Sequence, residues 1–290
     1  MERGARAAGG EEADPVRRLG DHEFARFQAL VQRESGIWLS PAKHALLVGR
    51  LSRRLRELGV GSYREYYDLV AADPAERVRM LDCVTTNETH FFREPRHFAF
   101  LAERVYPRWH AEALAGRRPR SVRAWSAACS TGEEPFSLAM SLLRAFPPAS
   151  GFAIEILATD LSTRALERAR AATWPIEKAA EIPAADLRAF MLRGTGSQAG
   201  RMGAGPELRD LVRFARLNLV DETWPALGTF DLVFCRNVLI YFAPATKSQV
   251  VGRLLRHLGP AGLLLLGHAE SLSGMGHAAR SVLPTIYARS

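Results

Sequence analysis

The chain has 290 residues, 47% hydrophobic and 24% charged, with a formal net charge of +8. These proportions are typical of a globular protein with a sizeable core, and no apolar run approaches the roughly 20 residues that span a bilayer, so no membrane insertion is expected. The three cysteines are too few and too widely spaced for a disulfide framework or a zinc site, which favours a cytoplasmic protein.

Residues 21–85 are predicted to form a small helical domain. The preceding residues 1–20 contain no apolar signal-peptide segment and are expected to be a disordered leader. From residue 21 onward apolar residues recur at helical spacing, and glycine and proline punctuate the pattern. Four helices are predicted: from Asp21 to Gly36, from the cap residues Ser40 and Pro41 to Gly59, and around 63–70 and 74–83.

The second of these helices has one apolar stripe and a basic remainder. The stripe consists of Leu47, Leu51, Leu55 and Leu58, and the remainder carries Lys43, Arg50, Arg53, Arg54 and Arg56. A charge run on a helix is usually a solvated face, but such a face would also attract an acidic partner. The spacing alone is compatible with both.

From about residue 86 to the end, strands alternate with helices. This alternation predicts an α/β fold in which a mostly parallel, Rossmann-like sheet is covered by helices on both faces. The glycine-rich stretch 193–205 is predicted to be a loop or part of a small inserted subdomain at about 175–212. The predicted strands are 122–125, 154–159, 211–217, 230–235, 262–267 and 282–287, and the predicted helices are 133–146, 162–172 and 244–258.

The junction between the first predicted strand and its helix carries the strongest chemical signal. Six small residues, 126–131, precede Gly132, and small side chains let the backbone approach a ligand while the helix start points free amides at it. The second predicted strand ends in Asp160, where an acid in a βαβ unit accepts hydrogen bonds from a ribose. Capping the helix that starts near Ser162 is the alternative role. Together these features predict a nucleoside cofactor.

Further candidate contact residues lie at the ends of two later strands. Asn218 and Leu219 end one of them, where the asparagine amide could pair with an adenine edge or close a simple turn. Arg236 and Asn237 follow the next, at the carboxyl end where ligands sit in open α/β sheets. Tyr241, four residues on, either presents its hydroxyl to a reacting group or packs as a core aromatic.

Three long motifs occur in the chain in a specific order: TNETHFFRE at 86–94, SAACSTGEEP at 126–135 and FDLVFCRNVLIYF at 230–242. They resemble the CheR family, chemoreceptor protein-glutamate O-methyltransferases that use S-adenosylmethionine. The segment 36–67 also resembles that family's helical N-terminal domain, so the resemblance covers nearly everything from residue 21 onward. Cys129 and Phe136 stand where the family often has alanine and tyrosine.

The resemblance implies roles for individual residues of a methyltransferase domain at 86–290. Arg93 and Tyr241 are expected near the methyl group as the catalytic residues, and Glu134 is expected to hold the cofactor's methionyl amino group. The alternative role of Glu134 is a capping box with Thr131. S-adenosylmethionine is the expected cofactor, S-adenosylhomocysteine its product, and no metal is expected. The full set of expected cofactor-binding residues is Asn87, Thr89, Arg93, Glu134, Asp160, Asn218, Leu219, Arg236 and Asn237.

The resemblance also implies an acidic partner, the cytoplasmic helical bundle of chemoreceptors. Arg50, Arg53 and Arg56 would supply steering and charge pairing toward it. The loop 193–196 resembles the region where family members hold a receptor's C-terminal tether peptide by strand addition. Two alternatives stay open: a methyltransferase acting on nucleic acid, which the motif set disfavours, and a non-catalytic cofactor-binding signalling module.

Overall fold

The computed structural model describes residues 18–276 and 279–289. Residues 1–17 of the predicted leader therefore lie outside the described residues. The described chain divides into two units: the first holds residues up to Leu30 together with Leu39–Val84, and the second holds Val31–Trp38 and the chain from Thr85 onward. Within the described ranges, no helix combines the length and the apolar character needed to cross a membrane.

Four α-helices lie between residues 21 and 84, and one of them begins later than the sequence predicts. Ser40 and Pro41 lead into a short 3-10 helix, and the Ser40 side chain makes no cap hydrogen bond. Gly59 ends the second helix with a φ of 67°, a left-handed conformation that favours glycine. The helices are α1 Asp21–Ser35, α2 His44–Leu58, α3 Tyr63–Ala72 and α4 Pro74–Val84.

The predicted apolar stripe of α2 is shorter than expected. Leu47, Leu51 and Leu55 are fully buried, whereas Leu58 is 36% exposed because it is the last residue of the helix. Arg54, which the sequence places among the basic residues of α2, donates two hydrogen bonds to the buried Glu76 carboxylate, at 2.8 and 2.6 Å. Burial raises the pKa of that carboxyl group, but the hydrogen bonds from Arg54 and Tyr66 outweigh it and hold the pKa below its usual value.

The second unit contains two sheets. The larger has seven strands in the order β6-β2-β1-β7-β8-β10-β9, and the smaller has the order β3-β5-β4. The strands are β1 Ser121–Ala127, β2 Ala153–Asp160, β3 Thr173–Pro175, β4 Met191–Arg193, β5 Arg201–Ala204, β6 Val212–Arg216, β7 Phe230–Cys235, β8 Leu258–Leu266, β9 Ala279–Leu283 and β10 Ile286–Arg289. The first five strands of this order, which are β6, β2, β1, β7 and β8, run parallel to one another. Strand β10 pairs antiparallel with β8, and β9 pairs antiparallel with β10.

Helices cover both faces of the larger sheet, as the alternation of the sequence predicts. Along β1, Val122 and Ala124 enter one hydrophobic core, and Trp125 and Ala127 enter a second core on the opposite face. The helices are α5 Pro95–Phe100, α6 Tyr106–Leu114, α7 Glu133–Ala145, α8 Thr163–Ala171, α9 Ala184–Phe190, α10 Pro206–Arg209 and α11 Pro244–Arg256, with a π-helical turn at Leu101–Val105 between α5 and α6.

The strand order reverses at β1, which pairs with β2 on one side and with β7 on the other. Because these strands are parallel, their last residues, Ala127, Asp160 and Cys235, lie at one edge of the sheet. A reversal of this kind opens a crevice at the carboxyl ends of the strands, where doubly wound folds bind their ligands. The residues at and after these three positions define the candidate site.

Two regions differ from the predicted elements. The single strand predicted at 282–287 is a hairpin of β9 and β10, because Pro284 cannot donate to a ladder and Thr285 adopts a φ of 64°. The region predicted as an insert contains the small antiparallel sheet, and part of the glycine-rich stretch is β5, which pairs with β3 and β4.

Candidate active site

The turn after β1 is fastened to β2 by its own backbone. The amides of Ala128 and Cys129 both donate to the Thr159 carbonyl, at 2.8 and 2.9 Å. Gly132 has a φ of 98°, and a Cβ atom there would lie 3.1 Å from Ala169. Glycine is therefore favoured at position 132 by backbone conformation and by close packing.

Asp160 holds this turn from the end of β2. Its carboxylate accepts hydrogen bonds from the amides of Ser130 and Ser162, both at 2.8 Å, and the residue is 8% exposed. The N-cap residue of α8 is Ser162, whose hydroxyl accepts from the Ala165 amide at 3.2 Å. A buried carboxylate thus lies between the small-residue turn and the start of α8.

Glu134 belongs to a buried ion pair and forms no capping box. The N-cap of α7 is Gly132, and the Thr131 hydroxyl donates to Glu133 at 2.7 Å instead of accepting from the helix. The Glu134 carboxylate accepts from Ser126 Oγ at 2.6 Å and from Arg236 Nε at 2.7 Å. These bonds join the end of β1, the start of α7 and the segment after β7.

Arg236 is the centre of a buried network. Besides Glu134, its guanidinium donates to the Arg93 carbonyl at 2.5 Å and lies 3.6 Å from the Glu94 carboxylate. His97 Nδ1 lies 3.4 Å from the guanidinium, and burial, followed by the charge of Arg236, lowers the pKa of His97 to about 4. The imidazole is therefore neutral at physiological pH.

A buried glutamate fixes the chain after Arg236. Asn237 has a φ of 59° and donates its amide to Glu270 at 2.9 Å. Glu270 also accepts from the amides of Gly267 at 2.7 Å and Ile240 at 3.3 Å. Burial raises the pKa of Glu270 although these amide bonds oppose the shift.

The segment from Asn87 to Arg93 is fastened to the same edge through its carbonyl groups. The Asn87 carbonyl accepts from Ser130 Oγ at 3.0 Å, and the Thr89 carbonyl accepts from Lys178 Nζ at 2.9 Å. Arg93 is half-buried, and its side chain donates to the Glu88 carbonyl at 3.3 Å. The structure therefore brings this segment together with the turn after β1 and with Arg236.

The turn geometry expected as an alternative for Asn218 is formed. Both of its amide hydrogens are engaged, one by the Glu34 carbonyl at 2.7 Å and one by the Asp221 carboxylate at 2.8 Å. Its side-chain oxygen accepts from the Val220 amide at 3.4 Å. Asn218 and the buried Leu219 lie beyond β6, which ends at Arg216.

Tyr241 is half-buried in a short 3-10 helix after β7 and belongs to neither core. Its carbonyl accepts from the Trp38 amide at 2.9 Å, while its hydroxyl has no hydrogen-bond partner among the described residues. Cys129 is buried, and burial together with the charges of Asp160 and Glu134 raises its pKa well above the usual value. This thiol therefore stays protonated at physiological pH, which disfavours a nucleophilic role.

The arginines of α2 lie in the first unit and differ in exposure. The side chain of Arg53 is 82% exposed and pairs with Glu57 at 2.9 Å. Arg56 is exposed, and the half-buried Arg50 donates to the Val84 carbonyl.

Sequence reasoning missed several members of the site. Ser126, Lys178, His97 and Glu270 contact its polar groups. The signal for Ser126 was available, because a hydroxyl in a buried strand requires a partner. Lys178, His97 and Glu270 carry no local sequence pattern that would mark them as site residues.

A doubly wound sheet with a small-residue turn after its first strand, an acid at the end of its second strand and a crevice at the strand ends defines an α/β protein that binds a nucleotide or nucleoside. Two family models match the chain: the S-adenosylmethionine-binding domain of the CheR methyltransferase at residues 87–287, and the all-alpha domain of the same family at residues 22–85. The chain belongs to the CheR methyltransferase family.

Curated relatives are similar over nearly the whole chain. Chemotaxis protein methyltransferase 2 of Pseudomonas aeruginosa is 40% identical over 91% of this chain and 92% of its own length. The chemotaxis protein methyltransferase of Klebsiella aerogenes is 38% identical over 93% and 90%, and that of Escherichia coli is 37% identical over 94% and 92%. The prediction of a methyltransferase of this family is thereby confirmed.

Proposed function

We propose that this protein transfers the methyl group of S-adenosylmethionine to glutamate side chains of chemoreceptors, forming glutamyl methyl esters. The observation that carries the proposal is similarity, over nine-tenths of the chain, to proteins named chemotaxis methyltransferases. The geometry supports it, since buried carboxylates line the sheet edge where doubly wound folds bind nucleosides.

The residues at this edge fit the cofactor. The Asp160 carboxylate ends β2, the position from which an acid of a doubly wound fold hydrogen-bonds the ribose hydroxyls of a nucleoside. Glu134, at the start of α7, would attract the methionyl ammonium. When bound, S-adenosylmethionine supplies an activated methyl carbon. The adenine contact of Asn218 and Leu219, and the contacts of Asn87, Thr89, Arg236 and Asn237, stay predictions.

Methyl transfer to a carboxylate requires positioning more than proton transfer. A glutamate is ionised at neutral pH, so the protein needs no general base. The half-buried Arg93 is suited to pair with a carboxylate, and the Tyr241 hydroxyl to orient it. The chain's task is to hold the two reacting groups in line and to exclude water.

The receptor is proposed to bind through basic and strand-edge surfaces. Arg50, Arg53 and Arg56 of α2 would attract an acidic helical bundle. Strand β4 is an edge of the small sheet and is followed by the loop 194–196, so a tether peptide could add a strand there. Esterification neutralises one acidic charge, which would act as an electrostatic switch on the receptor in the cytoplasm.

The product distinguishes this function from its alternatives. The full chain is incubated with methyl-labelled S-adenosylmethionine and receptor fragments, and the labelled product is treated with mild base. We expect label in the fragment and volatile methanol on base treatment, and none with a fragment whose acceptor glutamates are glutamines. Base-stable label in nucleic acid, or cofactor binding without transfer, would contradict the proposal.

A further inference from the structure

A basic groove of about 810 Å³ lies in the second unit, on a surface with no role in the chemistry described above. One wall is the face of α5, the π-helical turn and α6, and the other is formed by the start of β8 and by β9 and β10. Its lining includes five arginines and a single acidic residue, Glu103. The arginines are Arg96, Arg104, Arg108, Arg280 and Arg289. We call this feature the arginine groove.

The positive charge of the arginine groove is poorly compensated. Arg108 lies 3.7 Å from Glu112. The other four arginines form no ion pair among residues 18–276 and 279–289. Clustered like charges repel, and an anionic partner relieves that repulsion. Charge complementarity therefore indicates an acidic occupant.

The floor of the groove is apolar, and β9 contributes to the wall formed by the sheet. Phe100, Val105, Leu263 and Val282 line it, and Leu283 is 44% exposed beside them. Strand β9 is the last strand of the larger sheet, so one side of its backbone pairs with no described strand. An apolar floor between arginines suits an extended peptide with acidic and apolar side chains better than a phosphate ligand, which offers no apolar group.

The π-helical turn shapes one wall. Glu103, Arg104 and Val105 belong to Leu101–Val105 and line the groove. Turns of this kind are rare and are frequent at functional sites. From Arg96 to Arg108 the wall rises about 18 Å at roughly 1.5 Å per residue, which matches about five or six residues of extended chain.

The groove extends along the sheet from the amino end of β8 to the start of α5, which adjoins the candidate active site. Pro260 and Ala261 are near the amino end of β8, which runs parallel to β7, whereas Asp160 and Arg236 lie at or just beyond the carboxyl ends of their strands. At its other end the groove reaches Arg96, whose neighbour His97 contacts Arg236.

We propose that the arginine groove binds an extended acidic segment of five or six residues from a partner protein, with acidic side chains on the arginines and alternate apolar side chains on the floor. This binding activity is separate from methyl transfer.

The test uses the full chain and a fluorescent hexapeptide of alternating glutamate and leucine, followed by fluorescence anisotropy. We expect saturable binding that weakens at least tenfold between 50 and 300 mM salt, since exposed charge pairs are screened. The double variant Arg104→Glu/Arg280→Glu should weaken binding at least tenfold. The matched control, Arg168→Glu/Arg213→Glu, changes two exposed arginines outside the groove and should bind like the parent.

Two further arms separate the occupants. The glutamine–leucine hexapeptide should bind at least tenfold more weakly, and inorganic triphosphate should not compete at equal concentration. The milder Arg104→Gln/Arg280→Gln variant repeats the comparison if charge reversal disturbs folding, as judged by circular dichroism. Absence of peptide binding, equal binding by the groove variants, equal binding of the glutamine peptide, or efficient competition by triphosphate would each overturn the proposal.

Discussion

Asp160 connects three parts of the candidate site. It accepts from Ser130 in the turn after β1 and from Ser162 at the start of α8, and it ends β2 itself. Its buried carboxylate therefore supports the backbone, and it is also the acceptor that we propose for the ribose hydroxyls. Replacing it must distinguish these two roles.

Asp160→Asn keeps the shape of the side chain and removes its charge. Because hydrogen bonds to a charged group contribute about 1.5–3 kcal/mol, we expect the Kd for S-adenosylhomocysteine, measured by calorimetry, to rise roughly 10- to 100-fold. Asp210→Asn, at an exposed position, is the matched control and should bind normally. Unchanged affinity of Asp160→Asn would remove the ribose assignment.

His97 gives the site a pH-dependent contribution to stability. Burial lowers its pKa to about 4 in the folded protein, assisted by Arg236 and His268 and opposed by Glu94. The unfolded value is about 6.5. As the pH falls, His97 therefore binds a proton in the unfolded chain at a higher pH than in the folded protein. The contribution of the neutral His97 to the free energy of unfolding is present above pH 6.5 and is lost between pH 6.5 and pH 4.

We expect the free energy of unfolding to fall by about 2 kcal/mol between pH 7 and pH 5 through this one group, as these pKa values require. In His97→Gln this part of the pH dependence should be missing from urea unfolding curves. His110→Gln changes an exposed histidine and should keep it. If the free energy of unfolding depends on pH equally in His97→Gln and in the parent, the buried imidazole is not the source of this pH dependence.

Only part of this site could be predicted from sequence. Asp160 and the small-residue turn follow from strand and helix periodicity, because a βαβ unit places them locally. The partners of Arg236 are separated from it by 102 to 143 residues along the chain, and such pairing depends on the tertiary fold. For the same reason Asn218, an adenine-binding candidate in sequence, has its amide hydrogens engaged within the protein.

At the scale of elements, long periodic segments were predictable and irregular ones were not. α2, α7 and the parallel strands follow from apolar spacing over many residues. The hairpin of β9 and β10 depends on Pro284 and on the left-handed Thr285, and the π-helical turn at Leu101–Val105 has no marker in its sequence.

Across the whole molecule, the net charge of +8 includes two basic surfaces for which we propose different partners. The basic face of α2 contains the exposed Arg53 and Arg56, while the arginine groove has its own set. Long-range attraction by the first surface should speed association with an acidic receptor, and salt should weaken it. The two surfaces can be tested separately.

Changing Arg50, Arg53 and Arg56 together to alanine should lower kcat/KM for receptor methylation roughly 5- to 30-fold, as expected when several charges of a recognition surface are removed, and should leave the Kd for the cofactor unchanged. Because Arg50 also donates to the Val84 carbonyl, Arg53→Ala/Arg56→Ala tests the surface without that bond. In both variants kcat/KM should depend less on salt between 50 and 300 mM than it does in the parent. The control variant Arg168→Ala/Arg213→Ala changes two exposed arginines elsewhere and should keep the parent's rate and salt dependence. Normal methylation by the triple variant would mean that the receptor is recognised elsewhere.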